Sequence, residues 1–163
     1  MAEASHVVDT NILLRLLQPR DPDYALVRAA VEALRSSGTQ LCFTLRNIAE
    51  FWNVCTRPVE RNGFGLSVPE TDRRARLLEK AFTVLPDNER VYPEWRRLVV
   101  DHGVTGVQVH DARLAAVMIT HGITHLLTLD DGDFARFTRI TAVHPAQVVA
   151  GGSPSGTSSR RRT

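Results

Sequence analysis

The chain has 163 residues, 43% of them hydrophobic, enough for one domain to bury a core without disulfide or metal staples. No apolar run approaches the roughly 20 residues of a membrane span, and the first residues, MAEASH, lack the basic and apolar regions of an export signal, so a cytoplasmic protein is expected. The formal charge of +2 is a property of the C-terminus: once Arg160, Arg161 and Arg162 are set aside, 17 basic residues face 18 acidic ones, and a polyanion must be held by local arginines or a metal.

In chain order, the run His6 to Leu17, HVVDTNILLRLL, changes period within three residues. Ser5 to Val8 reads as a strand, and Ile12, Leu13, Leu16 and Leu17 then recur at helical spacing. Asp9, Thr10 and Asn11 occupy the change-over. In an open α/β sheet ligands bind at the carboxyl ends of strands, which puts Asp9 toward a site. The alternative is that one of them merely caps the helix, since all three are good N-caps. Asp21-Pro22 predicts a helix start with Asp21 as cap, and Tyr24, Val27, Ala30, Val31 and Leu34 form its apolar stripe up to Gly38. Leu41 to Phe43 is a short strand. Thr44 then caps a helix that carries Leu45, Ile48, Phe51, Trp52 and Cys55 and stops before Pro58.

Pro58 to Val68 has two glycines and no period, and reads as a loop. Ser67 with Glu70 three residues on predicts a capping box that opens a helix to about Phe82. Val84 and Leu85 form a third strand, followed by a helix to about His102 with Trp95, Leu98 and Val99 inward. Val107 to Ile119 is the next helix and His125 to Leu129 the fourth strand. The acids Asp130, Asp131 and Asp133 follow at once, and Ile140 to Val143 is the last strand. Strands alternating with helices predict a parallel sheet covered on both faces. The C-terminal segment, GGSPSGTSSRRRT, predicts disorder from composition. Cys42 and Cys55, both in apolar contexts, read as buried free thiols, with no second pair for a zinc site.

Asp9 follows the first strand and Asp130 the fourth, with Asp133 one turn further, so neighbouring parallel strands bring them to one edge. At about 100° per residue, Asp111 lies within about 60° of Leu114 and about 20° of Met118, on the apolar face of its helix. A buried carboxylate needs a partner or a metal, although a first-turn Asp also favours the helix dipole. Glu50 lies about 160° from Ile48 and Trp52, so periodicity alone makes it solvated. Converging acids are an all-oxygen ligand set that selects Mg²⁺ or Mn²⁺, with which a phosphodiester is polarised and a water activated for in-line attack. No Ser-His-Asp order, P-loop or GxGxxG is present. A phosphoacceptor module would want a lysine near the acids, and the only one is Lys80, on the helix before the third strand.

The segments VVDTNILLRLL, NIAEFWNVCTRP with its Glu50, VHDARLAA and LLTLDDGDFARF, in this order, resemble the PIN-domain family, and within it the VapC ribonuclease toxins, from about Val7 to Pro145. The resemblance implies a Rossmann-like α/β fold with a parallel sheet of four to five strands and helices on both faces. The domain is expected over residues 1–148, with a disordered Gly/Ser/Arg tail in 149–163. The resemblance also implies a Mg²⁺- or Mn²⁺-dependent endoribonuclease, a cognate small antitoxin and a homodimer. By position, Asp9, Glu50, Asp111 and Asp130 become the catalytic acids, with Asp9, Asp111 and Asp130 on the metal. Thr10, Asn11 and Asp133 support them, Asp133 being the other residue that fits the fourth acidic position. His110 is implied to be structural or substrate-adjacent. A housekeeping RNA-processing nuclease and a non-catalytic phosphate- or metal-binding signalling module are the competing readings.

Overall fold

The computed structural model describes residues 4–151. Val7 and Val8 point to opposite sides of strand β1 (Ser5–Val8), and this alternation organises the domain. Val7 joins Cys42 and Leu126 on one face of the sheet, while Val8 joins Leu41, Phe43 and Leu127 on the other. Both faces are therefore dry, which is why the strands read as short continuous apolar runs. Strands β2 (Gln40–Thr44), β3 (Thr83–Leu85), β4 (His125–Leu127) and β5 (Thr141–Val143) complete a parallel sheet of order β3-β2-β1-β4-β5. This is the expected α/β class, with five strands.

Helices α1 (Thr10–Leu16), α2 (Tyr24–Ser36), α3 (Leu45–Thr56) and α4 (Val68–Ala81) cover the Val8 face, burying Ile12, Leu13, Val27, Phe51 and Leu78. Helices α5 (Val91–Asp101) and α6 (Val109–Thr120) cover the Val7 face. Ala112 and every residue from Leu114 to Met118 on α6 are fully buried, because the helix lies between the sheet, α5 and α3. Each large apolar side chain buried in this way contributes about 1.5–3 kcal/mol. Among the described residues, no helix is long and apolar enough to cross a membrane, and Cys42 and Cys55 are buried free thiols.

Several boundaries differ from the sequence reading. Asp21 does not cap α2: its Oδ1 accepts the Asp23 N–H at 2.9 Å in a turn of its own, and the helix begins three residues later at Tyr24. Ser67 accepts the Glu70 N–H, but the Glu70 carboxylate turns outward to Arg73 and Arg74, so only half of the expected capping box forms. The reciprocal box is at Thr44 and Asn47. The 58–68 loop contains one 3-10 turn, Val59–Arg61, and the helix expected from Val107 starts as 3-10 at Gly106–Gln108. The fourth strand ends at Leu127, short of the expected Leu129, and Thr128 turns its hydroxyl toward Asp9. A final helix, α7 (Pro145–Gly151), packs on α2 and occupies the first three residues of the segment assigned to the tail. The remainder of that segment lies outside the described residues.

Candidate active site

The chain leaves β1 toward β2 on one side and later returns through α6 to place β4 on the other. This makes the β1/β4 junction the switch point of the sheet, where a crevice opens at the strand ends. Asp9 stands at that junction. Its backbone N–H extends the ladder to the Leu127 carbonyl at 2.9 Å, and only 7% of the residue is exposed. Oδ1 accepts from the Thr10 N–H, the first amide of α1, at 2.8 Å, and Oδ2 accepts from the Thr128 hydroxyl at 2.9 Å. Burial pushes the Asp9 carboxyl above its ordinary range, while the Thr128 hydroxyl, the Arg46 charge and the Thr10 amide pull it back.

Thr10 and Asn11, the first residues of α1, tie the strand ends together. The Thr10 hydroxyl donates to Glu50 Oε2 at 3.0 Å. Asn11 Nδ2 donates to Thr128 Oγ1 at 3.2 Å and to Asp130 Oδ2 at 3.1 Å, and its Oδ1 accepts the Leu129 N–H at 3.2 Å. The Asp130 N–H in turn donates to Thr128 Oγ1 at 3.1 Å. Thr128, which the sequence reading passed over, is thus the hub of the junction, buried and bonded to residues of both strand ends.

Glu50 is on α3, and its side chain is 44% exposed, so periodicity was right about solvent; the solvent is that of the cleft. One turn earlier on the same helix, Arg46 reaches three carboxylates. Nη1 lies 2.8 Å from Glu50 and 3.5 Å from Asp9, and Nη2 lies 3.3 Å from Asp111. Arg46 also escaped the sequence reading, although its spacing of four residues from Glu50 is a signal that the two share a helix face. Asp111, in the first turn of α6, is half-buried. Desolvation raises its pKa first, opposed by Arg46 and assisted by the charges of Asp9, Asp133 and Glu50.

These residues line a cleft of about 270 Å³ with Arg15, Asp130, Asp133 and Phe134. Five carboxylates would repel without cations, and the two arginines are the positive charges lining it. Asp9, Glu50 and Asp111 gather on Arg46, whereas Asp130 is drawn to Asn11. Asp133 lines the same cleft, and its charge is felt at Asp111. A larger cleft of about 500 Å³ adjoins it and shares Arg46, Glu50 and Asp111; Asn53, His110 and Arg113 are its other polar lining residues. His110 is thus beside the acids but not in the acidic cleft. Lys80 is exposed on α4 and lines neither cleft.

As the side chains stand, no three Asp, Glu, His or Cys among the described residues are spaced to hold a metal ion. The donor chemistry nevertheless suits a hard divalent cation. The donors are all oxygen, and the innermost, Asp9, is a buried carboxylate whose charge only cations and hydrogen bonds offset.

Fold and cleft together define an α/β protein with acids gathered at the switch point of a parallel sheet. A PIN domain family model matches residues 6–140, and the chain belongs to the PIN domain family. Among solved structures it is similar to VapBC2 of Rickettsia felis, crystallised with a DNA fragment from its promoter (12% identity, 86% of this chain and 98% of that chain, TM-score 0.65). It is similar also to VapBC-1 of nontypeable Haemophilus influenzae (20% identity, 87% and 98%, TM-score 0.61). The Mycobacterium tuberculosis toxin VapC20, which cleaves the sarcin–ricin loop, is a third likeness (20% identity, 74% and 85%, TM-score 0.54). No curated protein matches the chain by sequence.

Proposed function

We propose that the protein is a metal-dependent endoribonuclease acting in the cytoplasm, the toxin of a VapBC-type pair, with RNA as substrate, a cognate small antitoxin as partner and a homodimer as its assembled form. The observation that carries this reading is that Asp9, Glu50 and Asp111, from three different elements, all lie within 3.5 Å of one guanidinium at the sheet's switch point. Such a convergence of charge is costly and serves no packing purpose. Asp9, Asp111 and Asp130 would hold Mg²⁺ or Mn²⁺, with Asp133 and Glu50 completing the acidic wall. When bound, the metal supplies Lewis-acid polarisation of the phosphodiester and an activated water.

The chain's own residues do the positioning. Thr128 and the Thr10 amide aim the two oxygens of Asp9, Asn11 holds Asp130 against the β1/β4 junction, and Thr10 orients Glu50 to accept a proton from an approaching water. Asp9→Asn preserves shape and the Thr10 contact while removing the charge. It is expected to lower cleavage of RNA in Mg²⁺ or Mn²⁺ by at least about a hundredfold. Equal cleavage by wild type and variant would overturn the assignment. Growth arrest on expression, relieved by the product of a neighbouring small gene, separates a toxin from a housekeeping nuclease.

A further inference from the structure

Arg46 is anomalous in a cleft intended for a cation. Its side chain is only 14% exposed, and its two terminal nitrogens lie 2.8–3.5 Å from oxygens of Asp9, Glu50 and Asp111. Those separations are right for a guanidinium and too long for Mg²⁺ or Mn²⁺, whose ligand oxygens must close to roughly 2.0–2.2 Å around one point. The guanidinium stands between the carboxylates of Asp9, Glu50 and Asp111, two of which, Asp9 and Asp111, are among those assigned to the metal. With Arg46 between them, no ligand trio is gathered among the described residues.

The guanidinium also has somewhere to go. Arg46 lines both the acidic cleft and the roomier cleft beside it, whose other walls, Asn53, His110 and Arg113, carry no carboxylate. Arg113 is already paired with Asp87 at 2.7 Å, so it leaves Arg46 room there. The backbone of α3 need not move, because its start is fixed by the Thr44–Asn47 box on either side of Arg46.

We propose that Arg46 is an internal counter-ion that occupies the cation position of the acidic cleft and is displaced into the adjoining cleft when a divalent cation binds. The proposal rests on the metal-dependent reading above. It makes the protein weaker in metal affinity than its acids alone would allow, and it keeps the metal-free fold from carrying three uncompensated carboxylates. Arg46 thus sets the concentration of cation at which the site assembles.

The test measures Mn²⁺ binding by calorimetry and by the loss of the free-ion electron-spin signal, on full-length wild type, Arg46→Gln and Arg46→Lys. Arg46→Gln is expected to bind Mn²⁺ about tenfold tighter, since a competing charge is gone. Its thermal midpoint without metal should lie below wild type and rise more steeply with added Mn²⁺. Arg46→Lys, whose single ammonium cannot reach three carboxylates, should fall between. If Arg46→Gln does not fold without metal, Arg46→Lys against wild type decides. Affinity unchanged or weakened in both variants overturns the counter-ion role and leaves the nuclease reading standing. Absence of Mn²⁺ binding in all three proteins overturns both.

Discussion

Asp9 caps α1 with one carboxylate oxygen and presents the other to Thr128 and the cleft, so capping and site chemistry fall to a single residue. The capping geometry does not compete with the site reading, because an N-cap oxygen at a strand end lies on the ligand edge of the sheet. At the opposite end of the same strand, His6 pairs its ring with that of His125, 4.8 Å between centroids, and its Nδ1 is buried without a hydrogen-bond partner. Burial first, then the His125 charge, holds the His6 pKa below its ordinary value of 6.5. As pH falls below that value, the unfolded chain takes up a proton that the fold resists. The stability associated with neutral His6 is therefore present above 6.5 and lost progressively below it. His6→Gln should flatten this loss. Urea unfolding of both proteins at about pH 7.5 and about pH 5.5 checks it, and equal decrements would refute the role of His6.

At the scale of elements, α3 does the most for the site, since it carries Arg46 and Glu50 and is anchored by the fully buried Asn47. Asn47 Oδ1 accepts from the Thr44 N–H at 3.0 Å and from the Thr44 hydroxyl at 2.8 Å, and Nδ2 donates to Thr10 Oγ1 at 3.4 Å. Asn47→Ala leaves those buried groups unpaired and frees the first turn of the helix. It should cost about 1–3 kcal/mol in urea unfolding and reduce RNA cleavage by moving Glu50. A variant as stable and as active as wild type would show that the box is dispensable. The sequence pointed to Thr44 as a cap but not to its partner, because an Asn three residues into a helix is an unusual completion of a box usually closed by Glu or Gln.

For the whole molecule, the last described element, α7, packs on α2, with Pro145 buried and Val148 against the core. Ending the chain at Gly151 should leave cooperative unfolding and its midpoint unchanged, as expected if residues beyond it add nothing to the core. Ending it at His144 strips Pro145 and Val148 from the sheet's cover and should cost about 1–2 kcal/mol. Chemical denaturation of both truncations decides this, and an equal loss in both would place the boundary later than Gly151.

What the sequence determined by itself was the order of strands and helices, the parallel class and the placement of Asp9 and Asp130 directly after strands. Each rests on a local signal: a period of two or 3.6, or an acid directly after an apolar run. Glu50 was reached only through the start of its helix after the second strand and through family resemblance, since a residue that faces a cleft is as wet as one that faces bulk solvent, and periodicity cannot separate the two. Tertiary structure alone decided which strands are neighbours, and with that the roles of Thr128 and Asn11, whose partners lie more than a hundred residues away. It also decided that Arg46 lies among the acids. The distance between charges is a property of the folded chain, and only when α3 and α6 meet above β1 does an ordinary helix arginine become the cation at the centre of three carboxylates.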